Sequence, residues 1–278
     1  MPYLAVKGSI IRVGRRHICE GPAGLIMELI DTHAHLEDVK DLAEAIRRAG
    51  EAGVKAIITM GSDSESNAWA LSESSDYQTE NVRIYPALGI HPWSIRESKI
   101  EKDVEFIERN IHKAVAVGEI GLDYWYRGLS RNPQKKELQR TLFRRLLKIA
   151  KENGKPVSIH SRGAWMDCVE ITAEMNVKKA VFHWFSGPEE ALRKILENGY
   201  YISATPAAEY SKWQRAAIRS TPLENIILET DSPVSYRGEP AEPMHILRSL
   251  SAVAELKSES ERRVAEKTTE NARRIFGI

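Results

Sequence analysis

The sequence predicts an α/β protein, a closed (β/α)8 TIM barrel, and three observations carry that expectation. Eight short runs of β-branched and apolar residues recur along the chain, each is followed by a longer segment with apolar residues at helical spacing, and no Pro/Gly/Ser-rich linker divides the 278 residues into halves. Short, nearly continuous apolar runs suit parallel strands covered on both faces. Strand and helix alternating eight times favour a closed barrel over an open doubly wound sheet.

The strands are expected at 25–31 (LIMELID), 55–62 (KAIITMGS), 83–90 (RIYPALGI), 114–120 (AVAVGEI), 156–160 (PVSIH), 179–183 (KAVFH), 200–205 (YYISAT) and 226–231 (IILETD). Amphipathic segments near 38–51, 63–75, 99–111, 133–152, 163–175, 188–198 and 207–219 read as the intervening helices, with a helical tail over 243–276. The best marked is 133–152, where Asn132 can cap, Pro133 can take the first helical position, and Leu138, Leu142, Phe143, Leu146, Leu147 and Ala150 form one apolar face. Gly154 then stops it. Residues 1–24 lie outside this rhythm: they read as an extension of uncertain role, a hairpin or a strand over the barrel floor, or as a segment preceding a start at Met27. Residues 25–278 read as a single domain.

Composition narrows the function classes. Forty Lys and Arg against 39 Asp and Glu leave a formal charge of +1, so no global basic field marks a nucleic-acid binder, although a local patch can still bind phosphate. Cys19 and Cys168 fit neither a C-x-x-C site nor a disulfide framework and read as structural thiols in a reducing compartment. With no run of about 18 apolar residues and no signal-peptide pattern, a cytoplasmic protein is expected, without a membrane or an obligate protein partner.

In such a barrel the active site forms where the strands end. Strand 1 ends in Asp31-Thr-His33-Ala-His35, strand 3 in Gly89-Ile-His91-Pro92, and strand 4 in Gly118-Glu119-Ile-Gly121-Leu-Asp123. Strand 5 ends at His160-Ser-Arg162, strand 6 at His183-Trp184, and strand 8 at Glu229-Thr-Asp231-Ser-Pro233, while strands 2 and 7 bring only small polar residues. So many imidazoles and carboxylates on one rim, with no equal number of cationic partners, predict metal binding. His17, His112 and His245 lie outside the set and read as surface residues.

The ordered motifs DTHAHL, GIHP, GEIGLDY, IHSR, FHWFSG and ETDSP, followed by RGEPAEP and NARRIFG, make the chain from about Glu28 to Phe276 resemble the TatD family of metal-dependent hydrolases, a branch of the amidohydrolase-like barrels. The resemblance implies a deoxyribonuclease acting 3′ to 5′ with two divalent ions, Mg, Mn or Zn. His33, His35 and Asp231 would hold one ion, His160 and His183 the other, and Glu119 would bridge them. Asp231 would also serve as general base to the attacking water.

His91, with no metal partner evident from spacing, reads as a contact to the phosphate or scissile group, with a structural role at the strand end as the alternative. Arg127, Arg162 and Arg237 follow strand ends and are candidates for phosphate, with pairing to a carboxylate as the alternative. Asp123 could orient a ligand histidine, or instead form a salt bridge or cap a helix. Tyr124, Trp93, Trp125 and Trp184 could stack on a base or merely cap the rim. Trp184 stands where family members often have Cys, and "VSYRGEPAEP" departs from the commoner Tyr-Leu continuation, so the pocket is expected to have its own shape. Two other readings stay open: an amide or ester hydrolase using the same metals, and a non-catalytic barrel binding metal or nucleic acid.

Overall fold

The computed structural model describes residues 27–126 and 131–278. The expectations for residues 1–24, for a start at Met27 and for Arg127 therefore fall wholly or partly outside the described residues. Among those described, eight parallel strands are hydrogen-bonded in chain order: β1 (Leu29–Ala34), β2 (Val54–Met60), β3 (Arg83–Leu88), β4 (Ala116–Gly121), β5 (Val157–His160), β6 (Ala180–Phe182), β7 (Tyr201–Ala204) and β8 (Ile226–Leu228). The helices α1 (Leu42–Glu51), α2 (Ser64–Ser72), α3 (Ile100–Asn110), α4 (Pro133–Glu152), α5 (Trp165–Glu174), α6 (Glu189–Glu197) and α7 (Lys212–Ser220) link them in turn. α8 (Ile246–Lys257) and α9 (Glu261–Phe276) follow β8.

The strands sort their side chains with period two. On β2, Ala56, Ile58 and Met60 face one apolar set, shared with Ile30, Ala87, Ala116, Val181 and Ile227, and Ile275 and Phe276 of α9 pack with it. Ile57, Leu88, Val117, Ile159, Phe182 and Leu228 enter a larger set with the helices. Burial of each Leu, Ile or Phe side chain contributes roughly 1.5–3 kcal/mol, so strands apolar on both faces gain stability only between a filled lumen and a helical coat. No helix among the described residues is long and apolar enough to cross a membrane.

The ring closes between β1 and the segment after β8. The Asp31 carboxylate accepts from Thr230 N (2.9 Å) and Thr230 Oγ1 (2.6 Å), the Thr32 hydroxyl donates to Leu228 O (2.9 Å), and backbone bonds run from Asp231 N to His33 O (2.9 Å) and from His35 N to Ser232 O (2.7 Å). Burial pushes the Asp31 carboxyl up to about 8 despite these bonds. They also explain a corrected boundary: β1, Leu29–Ala34, does not end at Asp31 as expected, because pairing with residues beyond β8 carries it further.

Two helices also depart from expectation. The segment 207–219 opens as a 3-10 turn, Pro206–Glu209, and α7 starts only after Ser211, whose hydroxyl accepts from Gln214 N. The tail is two helices, separated where Ser258 turns left-handed (φ 54°) and restarted by the Ser260 hydroxyl accepting from Arg263 N.

Gly121 ends β4 at φ +141°, and a Cβ there would overlap the His160 carbonyl oxygen. Gly121→Ala is accordingly expected to cost at least about 1–3 kcal/mol. A thermal unfolding midpoint equal to that of the parent chain would rule this out.

Candidate metal centre

Six strands bring the same donor chemistry to one rim. His33 stands in β1 and His35 just after it, His91 follows β3, Glu119 lies in β4, His160 ends β5, His183 follows β6 and Asp231 follows β8. Glu119 is the hub. Its Oε2 lies 3.3 Å from both His33 Nε2 and His35 Nε2, and its Oε1 lies 2.8 Å from His160 Nδ1, 3.0 Å from His183 Nε2 and 3.4 Å from His91 Nε2. Asp231 Oδ1 faces the first pair, 3.6 Å from His33 Nε2 and 3.7 Å from His35 Nε2. The rings of His33 and His183 stack at 4.1 Å, so the two sets abut. Asp231 (φ 52°) and Trp184 (φ 42°) are both left-handed where the chain leaves its strand, a backbone state that non-glycine residues adopt at a cost and that clusters at functional sites.

Each histidine's outer hydrogen bond decides what its inner nitrogen can do. His160 Nε2 donates to Asp123 Oδ2 (2.9 Å) and His183 Nδ1 to Glu229 Oε1 (3.2 Å), because an ionised carboxylate only accepts. In the neutral rings this leaves His160 Nδ1 and His183 Nε2 with lone pairs aimed at Glu119. His91 is the reverse: its Nδ1 accepts from Trp93 N (3.1 Å), so Nε2 carries the proton and faces the centre as a donor.

The titration behaviour matches. Burial opposes charge on His160 and His183, but carboxylates on both sides outweigh it and raise both groups, His183 well above the usual value. Burial also opposes charge on His35, yet Glu119, Asp231 and Glu37 push it up to about 9. Burial pulls His91 down to about 4, leaving a neutral ring. Against its own burial, Glu119 is held well below the ordinary carboxylate range by His91, His183, His33 and His160.

These residues fit a divalent metal site. His33 Nε2 is completely buried and has no hydrogen-bond partner, although it faces two carboxylate oxygens. Protons on the inner nitrogens stand where a cation can replace them, since metal binding takes neutral imidazole and releases the proton. His33, His35 and Glu119 bring ligand atoms within 4.8 Å of one another.

The profile described as "TatD related DNase" matches residues 30–277. The chain belongs to the TatD family. It is 33% identical over 263 residues to an uncharacterized metal-dependent hydrolase, YabD, of Bacillus subtilis, a match spanning 90% of this chain and 99% of that one. It is 29% identical to the deoxyribonuclease TATDN3 of Homo sapiens, over 89% of this chain and 94% of the human one. The crystal structure of YjjV, a TatD homolog from Escherichia coli, superposes with a TM-score of 0.79 at 29% identity, covering 91% and 100% of the two chains.

Around the TatD centre lies a cavity of about 550 Å³ whose wall includes Ser62, Trp93, Arg162, Trp165, Trp184 and Val234. Arg162 and Trp184 thus both line this cavity. Arg162 also donates to Asp123 Oδ2 (2.9 Å) and lies 5.0 Å over the Trp93 ring, so both sequence readings of it, wall cation and carboxylate partner, describe one residue. Tyr124 is corrected: it is 8% exposed, its hydroxyl donates to Asp167 (2.6 Å), Lys136 and Arg140 cover its ring, and it is not part of the wall. Neighbouring positions face opposite ways at a strand end, so Asp123 turns to His160 and Tyr124 to the helices. Arg237 lies outside the cavity, over the Tyr210 ring at 4.7 Å. His112 is exposed as expected, whereas His245 is half-buried and accepts from Glu242 N in a helix-entry cap.

Sequence reasoning gave no role to Glu229. It is fully buried, and its Oε1 accepts from both His183 Nδ1 and Trp184 N (3.0 Å). A carboxylate inside an apolar strand must find such partners, and that was the available signal. Asp123 is the richer case. Its Oδ2 accepts from His160, from Arg162 and from Trp93 Nε1 (2.7 Å), and its Oδ1 from the backbone of Trp125 and Tyr126. Asp123→Asn, which loses the charge that fixes the His160 tautomer, is expected to weaken metal affinity by about 10–100-fold in a metal titration. Unchanged affinity would remove Asp123 from the metal centre.

Proposed function

We propose that this TatD-family chain hydrolyses phosphodiester bonds of DNA, releasing nucleotides from a 3′ end, with two divalent ions, Mg, Mn or Zn, as cofactors. One observation carries the reading. A single buried carboxylate, Glu119, turns one oxygen to His33 and His35 and the other to His160 and His183, which is the layout for two cations side by side. His33, His35 and Asp231 would hold one ion, His160 and His183 the other, and Glu119 would serve both.

Divalent ions bound there supply Lewis-acid charge that acidifies water and screens phosphate oxygens. The chain's own groups do the rest. Asp231 Oδ1 faces the His33 and His35 nitrogens and takes the proton from the attacking water. His91 is a donor at Nε2 and no ligand, so it hydrogen-bonds the phosphate oxygen that gains charge. Arg162 offers guanidinium nitrogens to a neighbouring phosphate, and Trp93, pinned by Asp123 and stacked at 4.8 Å on Tyr126, gives a base a flat wall. Trp184 also lines the cavity.

The test incubates the purified chain with end-labelled single- and double-stranded DNA in Mg, Mn or Zn. Mononucleotide release from 3′ ends, stopped by a chelator and restored by metal, is expected. Intact DNA with every metal overturns the reading, and a parallel panel of amides and esters then tests hydrolysis of those bonds by the same centre.

A further inference from the structure

Every large apolar side chain exposed among the described residues sits on one face. Trp93 (44% exposed), Trp125 (62%), Tyr210 (42%), Trp213 (60%) and Val234 (37%) follow β3, β4, β7, β7 and β8 respectively. Among the described residues no helix but α7, through Trp213 in its first turn, carries one. Exposed apolar groups concentrated at one rim mark a binding surface, where scattered ones would mean nothing.

This surface has two parts. Trp93 belongs to the cavity wall; Tyr210 and Trp213 do not. Both lie where α7 begins, and helices in this fold start on the face where strands end, so they stand on the catalytic side. Each carries a cation over its ring: Arg237 at 4.7 Å from the Tyr210 centroid and Lys212 at 4.8 Å from that of Trp213. The patch is tied to the site by buried contacts. Trp184, on the cavity wall, packs 5.3 Å from Tyr236, whose hydroxyl donates to Thr230 O (2.9 Å), and Arg237 is the next residue.

We infer that Tyr210, Lys212, Trp213 and Arg237 form a second contact for the substrate, a stacking platform for the single-stranded DNA that continues beyond the cavity. The inference rests on the DNA reading above. A cavity of about 550 Å³ is in the range that encloses a small ligand, so a longer strand must run out over the rim. Exposed rings interleaved with cations hold unpaired bases and phosphates together, whatever the sequence. Paired bases have no free face to offer, so the platform selects a single strand.

The test measures affinity by fluorescence anisotropy, using hydrolysis-resistant phosphorothioate oligothymidylates with metal present. The parent chain should bind a dodecanucleotide more tightly than a trinucleotide. Tyr210→Ala and Trp213→Ala should each weaken the dodecanucleotide by about fivefold or more, the loss of one stacked base, and leave the trinucleotide unchanged. Lys212→Ala should lower the slope of log affinity against log salt by about 0.7, one phosphate on a single strand. A dodecanucleotide with abasic distal positions should bind the parent and Trp213→Ala alike. Equal dodecanucleotide affinity in the parent, Tyr210→Ala and Trp213→Ala overturns the platform. Length-dependent binding through Trp213 without cleavage of any DNA overturns the nuclease reading instead.

Discussion

Glu119→Ala is expected to reduce turnover on the order of 10³-fold or more and to strip the chain of at least one of its two ions. The reason is positional. Glu119 contributes an oxygen to each half of the centre, so one substitution removes the shared anion that holds His33 and His35 on one side and His160 and His183 on the other. The backbone has its own support, since Glu119 N donates to Gly61 O at 2.9 Å, so the barrel should fold. Elemental analysis of the purified variant, beside circular dichroism, separates metal loss from unfolding. A folded Glu119→Ala chain that keeps two ions and full activity would refute the bridging role.

Asp231→Asn should fall by about 10²–10⁴-fold in turnover while keeping part of its metal, because an amide retains an oxygen ligand but cannot take up the water's proton. The substitution is also gentle on the backbone. Asp231 is left-handed at φ 52°, a conformation that Asn tolerates as well as Asp, and its amide and carbonyl are held by His33 O and Val234 N. Asp231→Ala strains the same position and would confuse strain with chemistry. Full activity in the folded Asn variant would show that the proton goes elsewhere. Parent-like turnover with reduced metal would assign Asp231 to binding only.

The residues of the centre were readable because two local signals coincide. Apolar runs show where strands end, and His and carboxylate types at those ends show which ends carry chemistry. His33, His35, Glu119, His160, His183 and Asp231 all meet both conditions, and the structure brings them within reach of one another. Tyr124 met only the first, standing at a strand end, and faces away, because adjacency to Asp123 says nothing about which side of the strand end a side chain takes. Glu229 was passed over because its partner, His183, lies 46 residues earlier in the chain. Tyr210 and Trp213 were invisible as a platform for a related reason: their cation, in the case of Tyr210, is Arg237 from another loop.

The order of strands and helices, the donor atoms and their place at the strand ends were determined by the sequence alone, since hydrophobic periodicity and side-chain type are local properties. Which nitrogen of each histidine is free to hold a cation was decided only by the tertiary structure. His160 and His91 are the same residue type at equivalent strand ends, yet Asp123 leaves the first with an inward lone pair and the backbone of Trp93 makes the second a donor. That distinction depends on a hydrogen bond of about 3 Å, and for His160 the partner comes from another strand end, which only the closed barrel brings so near.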